Sequence, residues 1–229
     1  MFDFERTSDR LTVREPGTRW LSNGFDGGYT VADAAHNLTV PDGFGRTDLD
    51  AYAAERLGEP PAGPTLLTGV NQQHARGGRL GPVVAVVTAG LSNPATLPMA
   101  ASADDGRTDG ADREWRPGTV NIVVGTRRPL SDGGLAGLLA TAVEAKTATL
   151  SAVAGCTGTT SDAVAVGCPS GDTPEPFAGS ATEVGAAVRA CVREALLASL
   201  ASRYEDGPPA PADAEHGVET DDRAAVFQP

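Results

Sequence analysis

One lysine stands against seventeen arginines in the 229 residues, and it falls where a helix should face the core. The stretch 135–150 has helical periodicity. At about 100° per residue, Leu135, Leu139, Ala142, Leu150 and Val153 form one stripe, with Lys146 near its middle. An ammonium placed there must snorkel to water, pair with a carboxylate or take part in chemistry. Glu144 lies two residues away, about 200° round the helix, so the two cannot pair with each other. The carboxylate that Lys146 needs must come from another element. Asp162 and Glu183 are the candidates, each beside a glycine turn.

Other chemistry-bearing groups gather in short glycine-marked contexts. They are Ala35-His36-Asn37, Thr88-Ala-Gly-Leu-Ser92-Asn93, Gly118-Thr-Val-Asn121, Glu144-Ala-Lys146-Thr147, Thr157-Gly158-Thr159-Thr160-Ser161-Asp162 and Gly179-Ser-Ala-Thr182-Glu183. Each stands at an expected strand end or helix start, where sites are usually built. Singly they have structural explanations: Asn93 can close a turn, and Glu183 suits the first turn of a helix. Together they exceed what a fold requires. The loop 155–162 lacks the Gly-Lys-Ser/Thr ending of a phosphate-binding loop, and no Gly-x-Ser-x-Gly elbow occurs. His36 and His74 have no partner at metal-ligand spacing, so neither a metal site nor a cofactor is expected.

The elements that must position these groups are mostly strands. Short strands are expected over 11–14, 18–22, 29–31 and 35–40, then a helix over 47–57 with Thr47 as its N-cap. A proline-rich link leads to a strand at 65–68. The run 82–89, apolar on both faces, predicts a central strand covered on both sides. Strands at 119–126 and 163–167 flank the Lys146 helix, which Ser131 or Asp132 caps. A last helix spans 182 to about 204, with Val184, Val188, Cys191 and Ala195 as its buried stripe. The pattern predicts one α+β domain over 1–204, with a mixed, largely buried sheet covered by helices. A three-layer, doubly wound α/β sheet is the alternative. An acidic loop insertion at about 101–117 interrupts the fold, and 205–229 is expected to be a disordered acidic tail.

Composition narrows the partners. The net charge is -12, and seven acids against one arginine put half of it in the tail. Phosphate binding needs a basic patch, so nucleic acid and anionic membranes are not expected partners. Acid excess suggests a salt-adapted, halophilic cytoplasm, where carboxylates keep proteins soluble. A codon bias would explain arginine over lysine but not the acids. Three scattered cysteines without a CxxC read as reduced structural thiols. The N-terminus lacks a signal-peptide pattern, and no window reaches 18 uninterrupted apolar residues. A cytoplasmic protein is expected, with a homodimer as the default assembly.

Six motifs in order give a sharper expectation: Thr65-Leu-Leu-Thr68, Val87-Thr-Ala-Gly-Leu-Ser92-Asn93, Gly118-Thr-Val-Asn-Ile122, Val143-Glu-Ala-Lys-Thr-Ala148, Thr157-Gly-Thr-Thr-Ser-Asp-Ala163 and Ala178-Gly-Ser-Ala-Thr-Glu-Val-Gly185. The set resembles the adenosylcobinamide amidohydrolases over roughly residues 22–200. Ser161 stands where a Thr is usual, and 104–117 and the tail look like additions. The resemblance implies hydrolysis of the amide joining a propionate arm of the corrin ring to aminopropanol. Adenosylcobinamide, the corrinoid substrate, would give adenosylcobyric acid and (R)-1-amino-2-propanol in archaeal-type cobinamide salvage for cobalamin biosynthesis.

Amide hydrolysis needs an activated nucleophile, an oxyanion stabiliser and a proton for the leaving amine. Asp162 or Glu183 is expected to activate a water or a hydroxyl from 157–161. Thr159, Thr160 and Glu144 complete the candidate catalytic set with Lys146. Lys146 and the Gly158 turn would stabilise the oxyanion, while Asn93 and Asn121 orient the amide. Ser92, His36, Asn37 and Thr157 join them as candidate substrate-binding residues. Two rivals stay open: a non-catalytic corrinoid carrier, and an amidase on another small molecule.

Overall fold

The apolar runs become the central strands, and the polar punctuation between them becomes turns. The computed structural model describes residues 2–99, 119–214 and 216–229; the expected insertion near 101–117 lies outside the described residues. The strands are β1 (Asp3–Arg6), β2 (Arg10–Ser22), β3 (Gly28–Thr39), β4 (Thr65–Thr68), β5 (Arg76–Leu80), β6 (Val83–Ala89), β7 (Pro94–Thr96), β8 (Val120–Thr126), β9 (Gly158–Thr159), β10 (Ala163–Cys168) and β11 (Val218–Glu219). The helices are α1 (Leu49–Leu57), α2 (Asp132–Val153) and α3 (Glu183–Arg203), with 3-10 turns at Gln72–His74 and Pro211–Asp213.

The main sheet runs β4-β3-β2-β10-β8-β6-β5, with β1 on β2. Only β3–β4 and β8–β10 are parallel in it, so the fold is α+β and not doubly wound. Helices α2 and α3 cover one face of β10-β8-β6-β5 over a core that includes Val87, Ile122, Leu138, Leu150, Val188 and Leu196. The opposite face is covered by the sheet itself. Trp20, Leu66, Val86, Val123 and Ala165, drawn from five strands, share one second core. In a flat sheet β3 and β6 would stand about 19 Å apart, four strand spacings. Yet Asn37 of β3 donates a hydrogen bond to Thr88 of β6 at 2.9 Å, so the sheet is rolled. The expectation of two-sided cover for residues 82–89 holds, but the second cover is strand rather than helix.

Several local expectations are corrected. The pairs 11–14 with 18–22, and 29–31 with 35–40, each fuse into one long strand. The register shifts between Arg14 and Thr18, where the single β2 bends. Asp48, not Thr47, is the N-cap of α1, and it makes no side-chain cap bond. Strand β5, Arg-Gly-Gly-Arg-Leu, carries no apolar alternation, so no sequence periodicity marks it. Helix α2 is capped by Ser131, whose Oγ accepts from Gly134 N at 3.0 Å. Its buried face is broader than one stripe, because α2 lies against both β10 and α3. Leu138, Ala145, Lys146 and Thr149 are buried, whereas Leu139 is half-buried and Val153 exposed. The Cys191 stripe of α3 is buried as expected. Part of the tail is ordered: β11 pairs in parallel with β7, which pairs with β9.

Candidate active site

Lys146 finds its carboxylate. Its Nζ donates to Asp162 Oδ2, and both side chains are close to 90 % buried. Asp162 accepts three further hydrogen bonds: from Thr159 N at 3.1 Å, from Thr159 Oγ1 at 2.5 Å and from Val120 N at 2.9 Å. Four donors converge on one carboxylate, which satisfies a buried charge that would otherwise be costly. The pair can approach because residue 158 is glycine. A Cβ there would stand 2.5 Å from Asp162 Oδ2 and 2.6 Å from Lys146 Nζ.

The hydroxyl loop follows from this anchor. Asn93 Nδ2 donates to Thr160 Oγ1 at 2.5 Å, and Thr160 N donates to Asn93 O at 3.2 Å. Thr157 directs both its N and its Oγ1 at Ala95 O. Thr119 Oγ1 and Ser161 Oγ lie 2.9 Å apart. Thr160 and Ser92 are exposed, Thr159 is buried, and Asn93 is buried. Cys156 precedes the loop, but burial pushes its thiol above the ordinary range, which disfavours a thiolate nucleophile there.

Asn121 and Asn37 form a second polar cluster, on the rolled inner face. Asn121 Nδ2 donates to Asn37 Oδ1 at 2.8 Å and to Leu67 O at 2.9 Å. Asn37 Nδ2 reaches Thr88 Oγ1, and Gln72 Nε2 reaches Thr39 Oγ1 at 3.1 Å. This network ties β3 and β4 to β8 and β6 across the seam of the roll. The Nδ2 of Asn121 is thereby held by protein groups, while its Oδ1 is buried without a hydrogen-bond partner among the described residues, and the residue is 1 % exposed. The cluster adjoins the first through the backbone, since Val120 N is bound to Asp162 while Asn121 points to the other face. Gln72 lies outside the motifs of the sequence, and Thr88 and Thr119 lie inside them without an assigned role. Thr88, a polar residue inside an otherwise apolar strand, was the available signal.

Three candidates lie apart. Glu144 pairs with Arg189 on α3, on the far side of α2 from Lys146, as the helical angle required. Glu183 pairs with Arg128 at 2.8 Å, just beyond the end of β8, while Asp162 binds the start of that strand. Seven residues of strand separate them by about 20 Å, so Glu183 is no partner for Lys146. His36 sits on the outer face of β3, opposite its neighbour Asn37. It shares a hydrogen bond with Thr12 Oγ1 at 3.1 Å and lines a cleft of about 420 Å³ with Arg10, Arg14 and Glu59. Burial lowers its pKa to about 4, with Arg14 and Arg10 adding to the shift.

The family model for CbiZ, adenosylcobinamide amidohydrolase, matches residues 4–208. The chain belongs to the adenosylcobinamide amidohydrolase family. The family match encloses Lys146, Thr159, Asp162 and the asparagine seam, and ends before β11. An adenosylcobinamide amidohydrolase of Halobacterium salinarum is 51% identical over 234 residues, covering 100% of both chains. One of Methanosarcina mazei is 30% identical over 198 residues, covering 81% of this chain and 91% of that relative. The motif resemblance thus stands as family membership, and the Halobacterium relative accords with a halophilic composition. Among the described residues, no helix is long and apolar enough to cross a membrane. No group of three or more His, Cys, Asp or Glu among them could hold a metal ion.

Proposed function

We propose that this chain hydrolyses the amide between a corrin propionate arm and aminopropanol in adenosylcobinamide, releasing adenosylcobyric acid and (R)-1-amino-2-propanol in cytoplasmic cobinamide salvage. The observation that carries a mechanism is the Thr159 hydroxyl, which donates to Asp162 Oδ1 at 2.5 Å beside Lys146. A hydroxyl on a fixed carboxylate is the arrangement of an activated nucleophile.

Thr159 Oγ1 attacks the amide carbonyl as its proton passes to Asp162. Lys146 fixes the Asp162 carboxylate and lends positive charge to the developing oxyanion. The tetrahedral intermediate collapses with cleavage of the C–N bond. The proton on Asp162 goes to the leaving amine, and an ester joins the propionate carbon to Thr159. A water then gives its proton to Asp162 and adds to the ester. Thr159 leaves with that proton, and adenosylcobyric acid departs. Asn93, which bonds the neighbouring Thr160, sets the position of the loop. Glu183 and Glu144 take no part in this scheme.

Incubation of the purified protein with adenosylcobinamide in high salt should release adenosylcobyric acid and aminopropanol in equal amounts. No product would remove the hydrolase reading and leave the carrier. Thr159→Val, close to isosteric, should lower turnover at least about 100-fold, the scale of lost proton-transfer catalysis, while Thr159→Ser keeps a measurable rate. Wild-type turnover in Thr159→Val would instead make water the nucleophile.

A further inference from the structure

We infer that the C-terminal residues 211–214 and 216–219 form a positioning strap for the active site: they hold β7, and through β7 the strand β9 that carries Gly158 and Thr159. The inference rests on the proposed role of Thr159.

The contacts form one chain. Val218 and Glu219 of β11 pair with Ala95 and Thr96 of β7, and Thr220 N donates to Thr96 O at 3.1 Å. On its other edge β7 pairs Pro94 with Thr159 and Ala95 with Gly158. Thr159 then closes on Asp162 through both N and Oγ1. These three strands make a separate small sheet that shares no ladder with the main one among the described residues. A ribbon of a three-residue and a two-residue strand is marginal by itself, and a third strand is what usually stabilises such a unit.

The docking is close. Gly217 has φ +149°, and a Cβ on it would stand 2.6 Å from Pro94 O, so the strap lies flush on the first residue of β7. Further back, a Cβ at Gly155, where α2 hands over to the hydroxyl loop, would stand 3.8 Å from the Pro211 ring. The strap therefore passes near the loop's entry and pairs with the strand beside its catalytic hydroxyl. Charge does not account for the docking, because residues 205–229 carry a net -6 and the whole chain -12. Backbone pairing holds an acidic segment against an acidic body.

The test uses the full chain. Gly217→Val blocks the close approach, and Thr220→Pro removes the donor to Thr96 in an exposed segment where it cannot compromise the core. Both variants should lower kcat about tenfold with KM little changed, the mark of a misplaced reacting group rather than a lost binding contact. Hydrogen exchange at the amides of 158–160 should quicken in both, while the melting temperature stays near that of the wild type. Wild-type kcat in Thr220→Pro, or exchange at 158–160 unchanged, overturns the strap. A wild-type protein that releases no amine overturns the hydrolase reading instead, and the exchange measurement still decides whether the strap orders β9.

Discussion

Lys146 and Asp162 meet over Gly158, in space that any side chain at 158 would fill. The glycine is therefore a steric condition for the ion pair, and the ion pair fixes the loop that presents Thr159. Gly158→Ala should part the two charges and move Thr159. Turnover should fall by about 100-fold, the scale associated with a displacement near 1 Å. Steady-state kinetics beside a melting curve checks this; a stable variant with wild-type kcat would show that the loop tolerates the shift.

Lys146→Met keeps much of the stem but leaves Asp162 buried without its counter-charge. The expected loss is about 3 kcal/mol of stability, as for one partner removed from a buried pair. Lys146→Met/Asp162→Asn removes both charges and should recover much of that stability in urea unfolding. Activity separates the roles. If the pair serves catalysis, the double variant stays inactive; if it serves only helix register, turnover returns with stability.

The asparagine seam is structural in this scheme. Asn121→Ala strips donors from Asn37 Oδ1 and Leu67 O, both inside the roll. Each buried acceptor left unsatisfied costs about 1–3 kcal/mol, so denaturant midpoints should drop while KM changes little. A large rise in KM at near-normal stability would return Asn121 to the substrate.

His36 makes a pH prediction. Its pKa is about 4 in the fold against an ordinary 6.5, chiefly because burial disfavours the imidazolium. The unfolded chain therefore binds the proton first as pH falls, and stability drains away between about 6.5 and 4. At 1.36 kcal/mol per unit the full effect is about 3 kcal/mol. His36→Asn should flatten that part of the stability profile. Equal slopes in variant and wild type would refute the assignment.

The sequence alone determined the ingredients of this protein. One lysine in an arginine-rich chain marked α2, a run apolar on both faces marked β6, and six ordered motifs marked the family. The separation of Lys146 from Glu144 was also legible, because helical geometry is local and fixes angles over two residues. Tertiary structure decided the partnerships. Asp162 and Glu183 are equivalent in the sequence, each beside a glycine turn, yet Asp162 binds the start of β8 while Glu183 pairs with Arg128 beyond its end. His36 and Asn37 are chain neighbours whose side chains fall on opposite faces of β3, one on an outer cleft and one in the seam. The acidic tail read as disordered because composition reports average solvation, whereas β11 is held by backbone hydrogen bonds to a distant strand. Contacts between residues far apart in the chain depend on how the sheet rolls, and no local periodicity encodes that.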